Sequence, residues 1–378
     1  MVDLNVACAQ LERTRVRPAG ALLTSCRTPL YRRHDQGSRT LDSAVTASQM
    51  PHLQSPLESG AVGVAPPSTE AVRVTDHVRT CTWQDLVQQE QAAAELQAFC
   101  SASIKGLGLE AFRPLLLKGA VASWPAINKW SLDWLVEHYG EQRVQVRAAP
   151  SMRFAYVEPR LMRTYLRFKS PQQAPSMLAP MTLKEFAMRA QQDSPNSPLF
   201  YPHGEFYYMQ SPVTRDMRRS GDLDFEQPPF SAVLAPDENG ERKIVPAATA
   251  RLWISPKGAV SPLHFDCHDS FLIQVRGTKR MLLWSSDQLH RIYPYQNWHI
   301  LRRRGKVDPV KPNFKKYPKF ADAHAMEVVL QPGDVLFFPG YWAHYTESCS
   351  FSVSITCRFG LAEEVCKRRS WFSLLVRP

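Results

Sequence analysis

From Ala250 onward the chain is written in short apolar runs separated by glycine and proline: Arg251 to Ile254, Phe271 to Val275, Arg280 to Trp284, Ala325 to Leu330, Asp334 to Phe338 and Ser350 to Arg358. Many short strands broken by turn residues predict an antiparallel barrel or sandwich. Upstream the texture differs. Trp83 to Phe99 is rich in Ala, Gln and Glu and predicts a helix with Thr82 as its N-cap. A short apolar strand is expected from Pro114 to Gly119, followed by the aromatic pairs Trp124-Pro125 and Lys129-Trp130. One helix is predicted over Ser131 to Gly140, with the glycine closing it. Another runs on from Thr182 through Ala190. No internal repeat is present.

Residues 1–77 mix Arg, Ser, Thr, Pro and Gly without a sustained period and read as a disordered leader. The expected organisation is therefore a leader over 1–77, a helix-and-strand part over 78–250, a barrel core over 251–362 and a tail over 363–378. The leader holds eight Arg and no Lys, as organelle transit peptides do, but its seven acidic residues oppose that reading. No run approaches the roughly 18 apolar residues of a membrane helix, and no continuous secretory core is present. The expectation is a protein with no membrane partner, in the cytoplasm or nucleus. The eight cysteines contain no C-x-x-C pair, which excludes a zinc knuckle and fits reduced thiols.

Charge adds one feature. The net charge is +11, and much of the excess lies between Arg302 and Lys319, where eight cationic residues face Asp308 alone. Two readings stay open: a solvated, proline-broken insertion, or a surface for nucleic acid or an acidic partner.

The candidate chemistry lies in two segments. In Ser261-Pro-Leu-His264-Phe-Asp266, strand periodicity would aim His264 and Asp266 to one face. Gln331-Pro-Gly-Asp334 turns the chain into Val335 to Phe338, after which Pro339-Gly-Tyr-Trp-Ala-His344 delivers a histidine 80 residues after the first. Two histidines and one carboxylate form the facial triad that leaves positions open on a non-haem Fe(II). A structural zinc site would be closed by four ligands. Open positions imply a co-substrate, and Lys279, at the start of an apolar strand, is the candidate cation for a dicarboxylate.

These segments, with Trp253-Ile-Ser-Pro-Lys-Gly, Phe271 to Arg280 and Tyr293-Pro-Tyr, resemble the JmjC cupin-like hydroxylases over roughly residues 80–362. The resemblance implies a mainly β fold with flanking helices, a double-stranded β-helix (jelly-roll, cupin) barrel of the JmjC type. It implies Fe(II) held by His264, Asp266 and His344. It also implies 2-oxoglutarate held at its far carboxylate by Lys279, fifteen positions after the first histidine, with Tyr208 and Ser261 beside it. Where the family often has two asparagines, this chain has Ser270 and Thr356, two small polar groups expected in the same pocket. His268 is expected to be exposed or to face substrate.

By the same resemblance the chain is expected to be a 2-oxoglutarate-dependent dioxygenase acting on a C–H bond, with a protein side chain as first substrate class. A tRNA modified base is the next reading, because Val307-Asp-Pro and Lys315 to Phe320 resemble the wybutosine hydroxylase of this family. Histone N-methyl-lysine demethylation is the third, and a cupin without turnover is the non-enzymatic alternative.

Overall fold

A computed structural model of the chain describes residues 73–82, 84, 113–190, 199–225, 230 and 250–359, all within the unit Gln54–Pro378. Its strands are β1 (Val74–His77), β2 (Arg79–Thr82), β3 (Leu115–Lys118), β4 (Arg143–Ala149), β5 (Met177–Thr182), β6 (Phe206–Pro212) and β7 (Arg251–Ser255). They continue as β8 (Val260–Phe265), β9 (Asp269–Arg276), β10 (Lys279–Trp284), β11 (Ala325–Leu330), β12 (Val335–Phe338), β13 (Ala343–Ser348) and β14 (Ser352–Phe359). Every strand expected beyond Ala250 is present, with ends displaced by only one or two residues. The helix expected from Trp83 to Phe99 lies outside the described residues apart from Gln84; Thr82 itself ends β2.

The strands form two mixed sheets, one in the order β1-β11-β10-β13-β8 and one in the order β2-β3-β12-β9-β14-β7-β6-β4-β5. This is the jelly-roll arrangement expected. Alternation along each strand sorts side chains onto two faces. On β10, Leu282 and Trp284 pack outward with Leu289, Ile292 and Phe320. Met281 and Leu283 pack with Leu272 of β9, Leu336 and Phe338 of β12 and Trp342. That second cluster spans both sheets and forms the apolar part of the barrel interior.

β1 pairs in parallel with β11, Val74 opposite Ala325, so a strand lies inside the segment expected to be the leader. Four residues carry too little alternation to be read as a strand without their partner.

Among the described residues there are five short α-helices: α1 (Pro125–Lys129), α2 (Leu132–Tyr139), α3 (Pro159–Tyr165), α4 (Leu183–Ala190) and α5 (Arg215–Arg219). Ser131 Oγ caps α2 by accepting from Trp134 N at 3.1 Å. Thr182 and Glu185 cap α4 reciprocally, with N···O distances of 2.7 and 3.1 Å. Gly140 does end α2, but at φ −55° and not in the left-handed conformation. Glycine is required there by crowding, since a Cβ would stand 2.3 Å from the Val136 carbonyl oxygen. Lys129 and Trp130 both donate to Asp222, at 2.8 and 3.1 Å, which ties α1 to the segment after α5.

Two turns position the strands that matter most. Asp334 accepts from Gln331 N at 2.9 Å and from Gly119 N at 3.0 Å, so the turn before β12 is locked to the end of β3. Gly277 makes the turn between β9 and β10 at φ +71°, with Phe351 packed so closely that a Cβ would lie 1.8 Å from its carbonyl oxygen. No helix among the described residues is long and apolar enough to cross a membrane.

Gly277→Ala should cost about 3 kcal/mol through positive φ and steric overlap together. Chemical denaturation is the measurement, and an unchanged midpoint would mean that the β9–β10 turn is free to rearrange.

Candidate metal centre

β8 and β13 are antiparallel neighbours, and His264 lies directly opposite His344. Their ring centroids are 4.1 Å apart. Asp266 follows one residue beyond β8, and one donor atom from each of His264, Asp266 and His344 lies within 4.8 Å of the others. The two chain segments are also joined by backbone: Tyr341, at φ +65°, donates its N–H to the Asp266 carbonyl at 2.6 Å.

Both imidazoles are oriented by main chain. His264 Nδ1 lies 2.7 Å from the Pro262 carbonyl and His344 Nδ1 lies 3.0 Å from the Trp342 carbonyl. A carbonyl only accepts, so each Nδ1 carries the proton and each Nε2 keeps a lone pair for a metal. Burial lowers the pKa of both rings, assisted at His264 by His344 and Arg304, so both imidazoles are neutral at physiological pH. Burial would raise the Asp266 pKa, but the Arg358 guanidinium, the largest of the opposing influences, holds it well below the usual carboxylate range. Arg358 Nη2 donates to Asp266 Oδ2 at 2.7 Å, an ion pair whose side chains are partly exposed.

Lys279 is buried at 2% exposure, and its Nζ donates to Ser354 Oγ at 2.6 Å. It lies 6.0 Å from the centre of the Tyr208 ring. Burial brings its pKa down to about 7. Tyr208 is buried too; desolvation raises its pKa, while hydrogen bonds with Ser261 and Ser255 act against that rise. A buried ammonium beside neutral hydroxyls is a site that an anion would stabilise. Two further interior atoms, Ser270 Oγ and Trp253 Nε1, are buried without a hydrogen-bond partner in the protein.

The structure therefore brings His264, Asp266 and His344 together at one end of the interior and Lys279, Tyr208 and Ser261 together at the other. Ser261 is three residues before His264, and an unbroken strand would send the two to opposite faces. A bulge restores them to one face: Ser261 pairs with Thr346 while His264 pairs with His344, three residues against two. Thr356 lies on the interior face of β14, but the hydroxyl on Lys279 belongs to Ser354, one inward position earlier. Ser270 is fully buried on β9 opposite Arg358. His268 is partly buried.

Several residues carried no recognisable signal in the sequence. Ser354 and Arg358 share the face of Thr356 by simple alternation, which would have found them once the register was known. Arg304 is different. The basic stretch was open to reading as a solvated loop, yet its first part docks beside β8, with Phe265 N donating to the Arg303 carbonyl at 3.1 Å and Gly305 N to the Leu263 carbonyl at 2.9 Å. Arg304 is buried in consequence, while Lys311, Lys315, Lys316 and Lys319 remain exposed. A cationic side chain packed against the strand that carries His264 departs from the reading of this stretch as a solvated loop.

Residues 109–359 match the family described as cupin-like domain. The chain belongs to this cupin-like family, in its JmjC branch. Among its curated relatives, lysine-specific demethylase 8 of Xenopus tropicalis is 28% identical over 244 residues, 65% of this chain and 47% of that protein. Jumonji C domain-containing protein 5 of Drosophila melanogaster is 26% identical over 248 residues, 65% of this chain and 54% of that protein. The chain thus spans about half the length of these two cupin-like relatives. It spans more of tRNA wybutosine-synthesizing protein 5 of Gallus gallus: 29% identity over 280 residues covers 71% of this chain and 78% of that protein.

Arg358→Met should destabilise the protein by about 1–2 kcal/mol at pH 7, because it leaves a partly buried carboxylate without the cation that is paired with it. Asp266 has a depressed pKa when folded, so its stabilisation is present above the ordinary carboxylate range and is lost as pH falls through the folded value. The gap between wild type and variant in denaturant titrations should therefore close at acidic pH. A gap that persists there would assign the loss to packing.

Proposed function

We propose that this protein is an Fe(II)- and 2-oxoglutarate-dependent dioxygenase that hydroxylates a C–H bond, with a protein side chain as the first substrate class. The observation that carries the reading is the pairing of one open three-ligand cluster with one buried lysine inside the same barrel. The donor set fits the metal: two neutral imidazoles and one carboxylate leave positions free, as oxygen activation requires. The interior fits the co-substrate, because Lys279 is buried with its Nζ on the neutral Ser354 hydroxyl and Ser270 Oγ is buried without a hydrogen-bond partner.

Each residue then has a defined task. His264, Asp266 and His344 would hold Fe(II), the carbonyls of Pro262 and Trp342 fixing the two rings. Arg358 keeps Asp266 ionised and correctly turned. Lys279 would bind the far carboxylate of 2-oxoglutarate, with Tyr208, Ser261 and Ser354 orienting it and Ser270 and Thr356 lining the space between. Leu272, Met281, Leu283, Leu336 and Phe338 exclude water from one side of the interior. When bound, iron and 2-oxoglutarate supply the oxidising chemistry, in which O2 and 2-oxoglutarate are consumed with formation of succinate, carbon dioxide and a hydroxylated carbon.

A second reading of the substrate, a tRNA modified base, is favoured by the lysines exposed after Arg304 and by the extent of the likeness to the wybutosine-synthesizing relative. N-methyl-lysine demethylation, suggested by other relatives' names, is the third. Succinate release from 2-oxoglutarate by the iron-loaded protein, followed by mass spectrometry of proteins and RNA recovered from a trapped complex, tests the activity and sorts these substrates.

His264→Ala, Asp266→Ala and His344→Ala should each abolish Mn(II) binding in calorimetric titration while the fold survives. Wild-type affinity in any one of them would remove that residue from the metal site.

Lys279→Ala should raise the 2-oxoglutarate Kd by about two orders of magnitude with Mn(II) affinity preserved, and Lys279→Arg should recover part of the loss. Because the free lysine titrates near pH 7, binding of the dianion must recruit a proton above that pH. The affinity of wild type for 2-oxoglutarate should be flat below pH 7 and fall by up to about tenfold per unit above it. A pH-independent Kd would show that another group, such as Arg276, is the anchor.

A further inference from the structure

Three guanidiniums converge beside the candidate metal centre, and none of them is needed to hold metal or 2-oxoglutarate. Arg304 lies across an isolated bridge from His264 and is 7% exposed. Its Nε donates to the Tyr156 carbonyl at 3.2 Å, and its guanidinium carbon lies 5.6 Å from the centre of the Tyr156 ring. Arg147, 4% exposed, lies 4.5 Å from that same ring and donates to Gln210 Oε1 at 3.0 Å and Ser176 Oγ at 3.1 Å. Arg251 donates to the carbonyl of the same Gln210 at 3.4 Å.

Among the described residues, the hydrogen bonds of Arg147, Arg251 and Arg304 therefore go to neutral oxygens. The carboxylate that acts on Arg251 and Arg304 is Asp266, whose Oδ2 is already taken by Arg358. Burial and mutual repulsion bring Arg147 and Arg304 down to about 10, the expected response of cations held without a matched anion.

Arg251 and Arg304 stand apart from the lysine end of the barrel, while Arg147 reaches toward them from its place opposite Tyr208. On β14, Ser354 meets Lys279 while Arg358 meets Asp266. Four residues separate them, about 13 Å of strand. Arg251 pairs with Thr356, toward the metal end. One compact dicarboxylate anchored at Lys279 would leave Arg251 and Arg304, at the metal end, for a second anion.

We propose that Arg147, Arg251 and Arg304 form a receptor for a carboxylate carried by the prime substrate, close to the carbon that is oxidised. The proposal rests on the oxygenase reading only for the word substrate; the anion site itself is a property of the arginines. Guanidinium forks match a planar carboxylate. Two of the three side chains are buried, so the anion must enter the mouth together with the reacting group. A backbone phosphodiester, tethered on both sides, would have to bring both flanking nucleotides in with it. A terminal carboxylate needs no such space.

The test uses the full-length protein free of metal and 2-oxoglutarate, with the thermal midpoint followed against N-acetylglycinate, inorganic phosphate or chloride at constant ionic strength. N-acetylglycinate should raise the midpoint saturably, by about 3–6 °C at roughly ten times its Kd, and more than phosphate does. Arg251→Gln and Arg304→Gln should each abolish the rise, Arg251→Lys should retain a fraction, and Lys279→Met should preserve it. Arg251 is only partly buried, so its variants carry the test even if Arg304→Gln does not fold. A rise no larger than that with chloride, or one lost in Lys279→Met and kept in the arginine variants, would overturn the proposal. A stronger response to phosphate would overturn the choice of carboxylate. Mn(II) and 2-oxoglutarate titrations on the same preparations report separately on the oxygenase reading.

Discussion

The pairing of β8 with β13 is the constraint on which the centre depends. It places His264 opposite His344 although 80 residues separate them in the chain. A one-residue slip would turn the two rings to opposite faces. Register is held from both sides: β10 pairs along the whole of β13, and the free edge of β8 is covered by the segment through Arg303 and Gly305. The bulge within the pair adds the second requirement, because it returns Ser261 to the interior. One ladder irregularity therefore aligns the metal end with the lysine end.

The interior is also a place where charge is stored at some cost. Lys279, Arg147 and Arg304 are each buried, and burial disfavours their charged forms and lowers their pKa values. Burial of an unpaired cation works against folding, so such groups are expected where a ligand compensates them. Lys279 stands at one end of the barrel interior and Arg251 and Arg304 beside the two histidines and Asp266 at the other, with Arg147 reaching across from opposite Tyr208, so two anions would be accommodated at different depths. Substrate binding would then stabilise the fold as well as position the reacting carbon.

Much of this was legible in the sequence, for physical reasons. His264, Asp266, His344 and Lys279 stand in local motifs whose spacing follows strand period and turn chemistry, so each could be named before any register was known. The strands after Ala250 were equally plain, being apolar runs bounded by glycine and proline. Other features depend on contacts between distant segments. Ser354 becomes the partner of Lys279 only when β14 is laid beside β9, and Arg358 reaches Asp266 only across the mouth. Arg147 stands in a strand before the recognisable motifs, and Arg304 in a run of cations that composition alone describes as solvent-facing. β1 was read as part of the leader because its partner, β11, lies some 250 residues away.

The central claim is that the two histidines, Asp266 and Lys279 together make one site for iron and 2-oxoglutarate. Optical titration of the anaerobic protein tests it most directly, since a keto acid chelating Fe(II) gives a metal-to-ligand charge-transfer band that neither component gives alone. The band should appear when both are added to wild type. With Lys279→Ala it should require far more 2-oxoglutarate, and with His344→Ala it should be absent. Wild-type protein that binds Fe(II) and 2-oxoglutarate yet shows no such band would contradict the shared site.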